Sequence, residues 1–170
     1  MRLFIAINFD KNTRARLLAL RDELRSNSER GSFVLPENLH LTLVFLGECD
    51  AKQVAAVQAA MDTVDFGAFD MFIERLGRFK RDGGEIWWAG VRENRALQDL
   101  QRCLSKTLIE EGFPIDTRKY SPHITLGRKV VTGMAPGQIE PFGQKVSGID
   151  LMKSERINGV LTYTSIYHRG

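Results

Sequence analysis

The chain has 170 residues, of which 43% are hydrophobic and 26% charged, and it carries a formal net charge of +3. This composition predicts one globular domain that is large enough to bury a core. The weak positive charge is compatible with an anionic ligand, but it excludes the dense basic surface of a protein that binds nucleic-acid duplexes. No apolar run reaches the roughly 20 residues that a transmembrane helix needs, so no membrane partner is expected.

The N-terminal run and the cysteines predict a cytoplasmic protein. The apolar run at the N-terminus is short and soon meets Asp10, so it predicts a first strand and not a secretory signal. Cys49 and Cys103 lack the paired spacing of a disulfide framework or a zinc site. We therefore expect two reduced thiols in a reducing compartment.

The first half of the chain predicts two strands and two amphipathic helices in alternation. Residues 2–9 form an apolar, β-prone run, and residues 10–26 place leucines at helical spacing. A loop containing Gly and Ser is expected next. The stretch NLHLTLVFLG, residues 38–47, then predicts a strand, and residues 50–64 predict a helix with an aspartate at its N-cap.

The second half predicts three strands, one helix and a closing hairpin. The predicted elements are a strand over 69–79, a turn at RDGG, a strand over 85–91, a helix over 94–112, a strand over 120–130, a loop over 132–148, and a hairpin of 149–156 with 161–169.

An internal repeat relates the two halves. His40 and His123 are 83 residues apart, and the same offset lays LFIAIN over IWWAGV, pairing Ala6 with Ala89. The first helix then falls on the third, and HLTL falls on HITL. We therefore predict a duplicated strand–helix–strand unit, over about 2–47 and 85–130. Packing about a pseudo-twofold axis would bring the two His-x-Thr faces together.

Strict alternation along each strand assigns faces to the motif residues. One face holds His40, Thr42 and Val44, and the opposite, core face holds Leu41, Leu43 and Phe45. Phe45 is accordingly interpreted as a packing residue. Alternation from His123 keeps Thr125 on its face and turns Arg128 away, unless a kink at Gly127 re-aims the arginine.

Three chemistries could use two such histidines. A metal site would need further ligands, and neither motif offers a Cys, Asp or Glu on the histidine face. Nucleophilic catalysis would need a serine or cysteine beside a base, which is also missing. General acid–base catalysis fits best, because one imidazole can be neutral and another protonated at the same physiological pH. We therefore expect no metal and no cofactor.

The motifs HLTLVFLG and SPHITLGR resemble the twin signatures of the two-histidine (2H) phosphoesterases, most closely the RNA 2′,3′-cyclic phosphodiesterases once named 2′-5′ RNA ligases. The resemblance covers the whole chain. It implies an α+β fold, one domain over 1–170 with two pseudo-symmetric lobes, each an antiparallel sheet backed by helices, and a central groove between them. The resemblance also leaves open base stacking by Phe45 near that groove.

The same resemblance implies a reaction and its residues. A terminal 2′,3′-cyclic phosphate on an RNA end or oligonucleotide would be opened to a 2′-phosphomonoester, with reversal giving 2′-5′ ligation. His40 would be the proton donor and His123 the proton acceptor, while Thr42, Thr125 and Arg128 would hold the phosphate. Two alternatives remain open: a 2H phosphoesterase of a small cyclic nucleotide or related metabolite, and a non-catalytic module that binds RNA ends. A monomer is expected.

Two tryptophans, a basic run and a third histidine are further candidates for the site. Trp87 and Trp88 point to opposite faces of their strand, so one is predicted in the core and the other can line the groove. A basic run before the DGG turn, consisting of Arg78, Lys80 and Arg81, is interpreted as a solvated loop, with guidance of an RNA strand as the alternative. His168 has no matching threonine and is expected to be exposed.

Overall fold

The structure is a computed structural model that describes all 170 residues, and it contains nine strands and three α-helices. In chain order they are β1 (Arg2–Ile7), α1 (Lys11–Ser26), β2 (Ser28–Phe33), β3 (Leu41–Glu48), α2 (Ala51–Thr63), β4 (Phe69–Arg81), β5 (Gly84–Val91), α3 (Arg95–Glu110), β6 (His123–Thr132), β7 (Gly137–Val146), β8 (Ile149–Ile157) and β9 (Val160–Arg169). A single 3₁₀ turn, Pro36–Asn38, precedes β3.

The strands form two antiparallel sheets. The four-stranded sheet has the order β3-β1-β8-β9, and the five-stranded sheet has the order β2-β6-β5-β4-β7. The two strands that carry the His-x-Thr motifs, β3 and β6, belong to different sheets and lie against one another. One contiguous hydrophobic core contains side chains from both sheets and all three helices. The predicted α+β class is confirmed.

The three helices begin where side-chain caps predict. Asp10 accepts a hydrogen bond from the Thr13 amide at 2.8 Å, Asp50 forms a reciprocal capping box with Gln53, and Asn94 accepts from the Leu97 amide. The apolar face of α3, with Leu97, Leu100, Leu104 and Leu108, is completely or almost completely buried. No helix has the length and apolar character that crossing a bilayer requires.

Two segments expected as loops are strands. Residues 28–33 form β2 and residues 137–146 form β7, and each lies at an edge of the five-stranded sheet. Most of their side chains are exposed, so neither shows the apolar alternation by which a strand is recognised in sequence. Pro141 is tolerated in β7 because an edge strand does not need every amide for the ladder.

The two halves are similar in secondary structure but differ slightly in register. In the first half Ala6 of β1 pairs with Thr42, and in the second half Trp88 of β5 pairs with Thr125. Trp88, not Ala89, therefore occupies the place of Ala6, and the constant offset predicted for the whole repeat is wrong by one residue at this strand. The offset of 83 holds for the two histidine strands themselves.

Candidate active site

The two histidines are held in the same way at the start of their strands. Nδ1 of His40 lies 2.8 Å from the carbonyl oxygen of Asn38, and Nδ1 of His123 lies 2.8 Å from that of Ser121. A carbonyl oxygen only accepts, so each Nδ1 carries a proton and donates it. In the neutral ring the lone pair is therefore on Nε2.

His40 is packed in an aromatic environment. Its ring centroid lies 4.8 Å from that of Phe4 and 5.1 Å from that of Tyr163, which meets it edge-on. Burial lowers the pKa of His40 below its ordinary value, the Asn38 hydrogen bond opposes this shift, and the charges of Arg128 and His123 lower the pKa further.

Asn38 connects His40 to the far strand of the same sheet. Its buried side chain donates to the carbonyl of Leu161 at 2.8 Å and accepts from the amide of Tyr163 at 3.3 Å. The carbonyl that orients the His40 ring is thus fixed to β9. Sequence reasoning did not find this residue, because its partners are more than a hundred positions away.

His123 is flanked by two aromatic rings of the five-stranded sheet. Phe79 meets its imidazole edge-on at 5.2 Å between ring centroids, and Trp88 lies at 6.0 Å. Trp88 lies flat across Gly77, where a Cβ would come within 2.2 Å of the indole. Trp87, on the opposite face, is completely buried.

The two threonines lie on the histidine face of their strands. The Thr42 hydroxyl lies 2.8 Å from Nε2 of His40. Thr125 is half-buried and pairs with Trp88, so its hydroxyl belongs to the face that carries His123. Nε2 of His123 has no hydrogen-bond partner within the protein.

A β-bulge interrupts the alternation of both strands. Leu43 has no partner between Thr42, which pairs with Ala6, and Val44, which pairs with Ile5. Leu126 is unpaired in the same way, between Thr125 and Gly127. Each extra residue is buried together with the residue that follows it, so the two faces are exchanged directly after it, before a further register shift later in each strand.

The bulges turn Phe45 and Arg128 onto the histidine face. Phe45 is 71% exposed, with its ring 6.3 Å from that of Phe4, so its predicted place in the core is wrong. Arg128 is exposed and lies close enough for its charge to lower the pKa of His40. The kink that the arginine needs is the bulge at Leu126, with the small Gly127 packed beneath Phe33.

A tyrosine in the segment before β6 makes a hydrogen bond to the other histidine strand, β3. The hydroxyl of Tyr120 donates to the carbonyl of Thr42 at 2.7 Å, and burial raises the pKa of Tyr120, so the hydroxyl keeps its proton. From α3, Gln101 donates to the carbonyl of the bulged Leu43 at 3.3 Å. These side chains, which the sequence did not single out, fix the position of one motif relative to the other.

The remaining candidates do not join the groove cluster. No three His, Cys, Asp or Glu side chains approach one another as metal ligands would. Cys49 is buried and Cys103 exposed, and both are free thiols. The side chain of His168 is 62% exposed, as expected, but its Nδ1 contacts Asp150 at 3.0 Å, and Asp150 also accepts from Asn8 and Ser165.

Comparison with known proteins identifies similar chains over most of the sequence. The family described as LigT-like phosphoesterase matches residues 7–88 and 90–162. A protein of Methanothermobacter thermautotrophicus is 32% identical, covering 98% of this chain and 96% of its own length. One from Archaeoglobus fulgidus is 34% identical, covering 75% of this chain and 72% of its own. Both relatives are named RNA 2′,3′-cyclic phosphodiesterase.

Solved structures share the arrangement of both sheets. A crystal structure of a phosphoesterase superposes with a TM-score of 0.85 at 26% identity, covering 99% of this chain and 96% of that one. The crystal structure of E. coli LigT complexed with 3′-AMP gives a TM-score of 0.85 at 25% identity with the same coverage. The two-lobed fold expected from the motifs is confirmed.

Proposed function

The chain belongs to the LigT-like phosphoesterase family, and on that premise we propose that it hydrolyses terminal RNA 2′,3′-cyclic phosphates to 2′-phosphomonoesters. One observation carries the proposal: two imidazoles on facing strands, each with Nδ1 donating to the carbonyl two residues earlier. Each ring thereby directs Nε2 away from its own backbone. In-line displacement at phosphorus needs such a pair, one group behind the water and one beside the leaving oxygen.

His40 acts as the proton donor and His123 as the proton acceptor. Nε2 of His123 takes a proton from water, the water oxygen bonds to phosphorus, the bond from phosphorus to the 3′-oxygen breaks, and His40 gives that oxygen a proton. This assignment rests on the resemblance of the two motifs to those of the 2H phosphoesterases, and the lowered pKa of His40 means that its protonated form is populated towards acidic pH. The open Nε2 of His123 supports its access to water.

Thr42, Thr125 and Arg128 bind the non-bridging phosphate oxygens. The two hydroxyls lie on the histidine face of their strands, and the bulge at Leu126 directs Arg128 to the same side. A guanidinium can donate two parallel hydrogen bonds to a phosphate, which gives orientation as well as charge neutralisation. Donors that are already in place stabilise the charge that develops in the transition state.

Phe4 and the exposed Phe45 offer ring surface beside His40, and we propose that the terminal nucleobase stacks there. Two free cysteines support a reducing compartment such as the cytoplasm.

The matched bulges in β3 and β6 support duplication of an ancestral half of the chain.

The test is hydrolysis of an oligoribonucleotide that ends in a 2′,3′-cyclic phosphate, with a 2′,3′-cyclic mononucleotide compared in parallel. We expect a 2′-phosphomonoester product and undiminished turnover in EDTA. Incubating a cyclic-phosphate end with a 5′-hydroxyl oligonucleotide tests the reverse reaction, which would give a 2′-5′ linkage. A 3′-phosphomonoester product, or loss of turnover in EDTA that zinc restores, contradicts the proposed mechanism.

A further inference from the structure

We propose that the surface beyond Arg128 on the five-stranded sheet binds the phosphodiester backbone of the RNA on the 5′ side of its terminal nucleotide. The inference rests on the proposed function and names its substrate class: an oligonucleotide end is preferred over a cyclic mononucleotide. The surface, here called the β2–β4 face, consists of Arg30, Ser32, Arg81 and Lys129.

Arg81 continues the line of aromatic contacts that begins at His123. Phe79 contacts the His123 ring, and the guanidinium of Arg81 lies over Phe79, 5.5 Å from its ring centroid. This guanidinium donates once to the neighbouring Lys80 carbonyl and forms no ion pair, so most of its donors are available. An arginine over an aromatic ring can bind a phosphate and also stack on a base.

The structure separates Arg81 from the two cations beside it in the sequence. Arg78 lies on the opposite face of β4, where it contacts Glu85 at 3.3 Å and the ring of the buried Trp87. Lys80 also lies on that opposite face, because it alternates with Arg81 along the strand. Of the basic run that sequence analysis assigned to a solvated loop, only Arg81 faces the groove.

The edge strand β2 extends the positive surface beyond Arg128. Ser32 pairs with Arg128, and Arg30, two residues earlier on the same face, is exposed and has no carboxylate within ion-pair distance. A depression of about 610 Å³ joins this strand to the β4–β5 turn. It is lined by Arg30, Gly31, Ser32, Asp82, Gly83 and Lys129, and none of these is hydrophobic.

The chemistry of this depression fits a sugar–phosphate chain. It carries two cations and one carboxylate, Asp82, with hydroxyl and backbone groups between them and no apolar side chain. At the other end of β4, Arg75 also donates once, to the Val91 carbonyl, but it is half-buried and lies across Gly90 and beside the Trp88 ring, whereas Arg81 is exposed. The exposed guanidinium groups of this sheet without a carboxylate partner are therefore near the β2–β4 face, and a polyanion leaving the groove is attracted to that side.

The experiment combines direct binding with turnover. A fluorescein-labelled pentaribonucleotide ending in a 2′-phosphate is titrated by anisotropy into wild type, Arg30→Gln, Arg81→Gln and the double variant. Each single change should raise Kd roughly two- to fivefold, the usual range for one exposed charge contact. The double change should also lower the slope of log Kd against log salt by about 1.4, the value for two lost phosphate contacts on a single strand.

Lys80→Gln is the matched control, because it removes the same charge from the adjacent residue on the opposite face. It should change Kd by much less than Arg81→Gln does. The double variant should keep wild-type kcat/KM on a 2′,3′-cyclic mononucleotide, while kcat/KM on the cyclic-phosphate oligonucleotide falls. Equal effects of Lys80→Gln and Arg81→Gln, or an unchanged salt slope, would overturn the inference. If the wild type hydrolyses neither the mononucleotide nor the oligonucleotide, the proposed function itself is overturned.

Discussion

Leu43 and Leu126 are equivalent residues of the two histidine strands, and each is the unpaired residue of a β-bulge three positions after its histidine. Both are buried, and both bulge carbonyls find a donor: Gln101 donates to Leu43, and the Val34 amide donates to Leu126 at 2.9 Å. The same β-bulge is therefore formed twice, and a different donor makes the hydrogen bond to each bulge carbonyl.

The bulges give one groove two different walls. Two residues after each bulge the side chain faces the histidines, and that side chain is Phe45 on one strand and Arg128 on the other. The backbone is pseudo-symmetric, whereas the chemistry is not. An aromatic wall and a cationic wall give a bound nucleotide one preferred orientation, with its base towards Phe45 and its phosphate towards Arg128.

Phe45→Ala should raise KM for a cyclic mononucleotide and leave kcat within about threefold. Stacking of one base on an aromatic side chain contributes roughly 1–3 kcal/mol, so the increase in KM should be about five- to a hundredfold. Steady-state kinetics measure it. Phe72→Ala is the control, because Phe72, on β4, is also exposed but contacts Arg92. Equal kinetics of Phe45→Ala and wild type would show that the base lies elsewhere.

Tyr120→Phe should lower the free energy of unfolding by about 1–2 kcal/mol, because the carbonyl of Thr42 loses its donor. The loss also frees one histidine strand from the other, so kcat should fall while KM changes little. Urea unfolding and steady-state kinetics test both effects. Tyr167→Phe, which removes a hydroxyl that binds Asp62, is the control and should leave kcat unchanged.

The residue pattern was sufficient to predict the helices and the two histidine strands, because apolar periodicity and caps are local properties, whereas the α+β class was expected from the resemblance of the two motifs. It failed at Phe45, because the bulge depends on how β3 pairs with β1, which leaves Leu43 without a partner. It also missed β2 and β7, edge strands in which exposed residues interrupt any apolar alternation. Asn38 and Tyr120 could not be found, since both act through partners far along the chain.

Arg128→Gln should move the alkaline limb of the kcat/KM profile to higher pH. Burial lowers the pKa of His40 most, and the charge of Arg128 lowers it further. A proton donor loses activity as pH rises through its pKa, so the wild-type limb lies below the ordinary imidazole value of about 6.5. Removing the positive charge raises the pKa of His40, and the protonated ring persists to higher pH.

The position of the limb, fitted separately from the reduced rate, is the measurement. Arg102→Gln removes an exposed charge on α3 that pairs with Asp99, and it should leave the limb in place. A limb that moves to lower pH in Arg128→Gln, or does not move, would contradict the assignment of His40 as the group that must be protonated.

Thr42→Ala and Thr125→Ala should each lower kcat by roughly ten- to a hundredfold, a loss at or somewhat below that of one oxyanion donor. The Thr42 change should cost more, because its hydroxyl also contacts Nε2 of His40. Serine at either position keeps the hydroxyl and should restore most of the rate. Serine variants as slow as the alanine variants would indicate that the methyl groups matter and the hydroxyls do not.

His40→Ala and His123→Ala should each lower kcat by several orders of magnitude while the unfolding transition stays cooperative. A cyclic substrate whose 3′ leaving oxygen is replaced by sulfur separates the two roles, because a thiolate leaves without protonation. On that substrate His40→Ala should recover much of its rate, since only the proton donor has become unnecessary. His123→Ala should stay slow, because water still has to lose a proton as it attacks phosphorus. Recovery by His123→Ala alone would exchange the two roles, and recovery by neither variant would contradict the two-histidine mechanism itself.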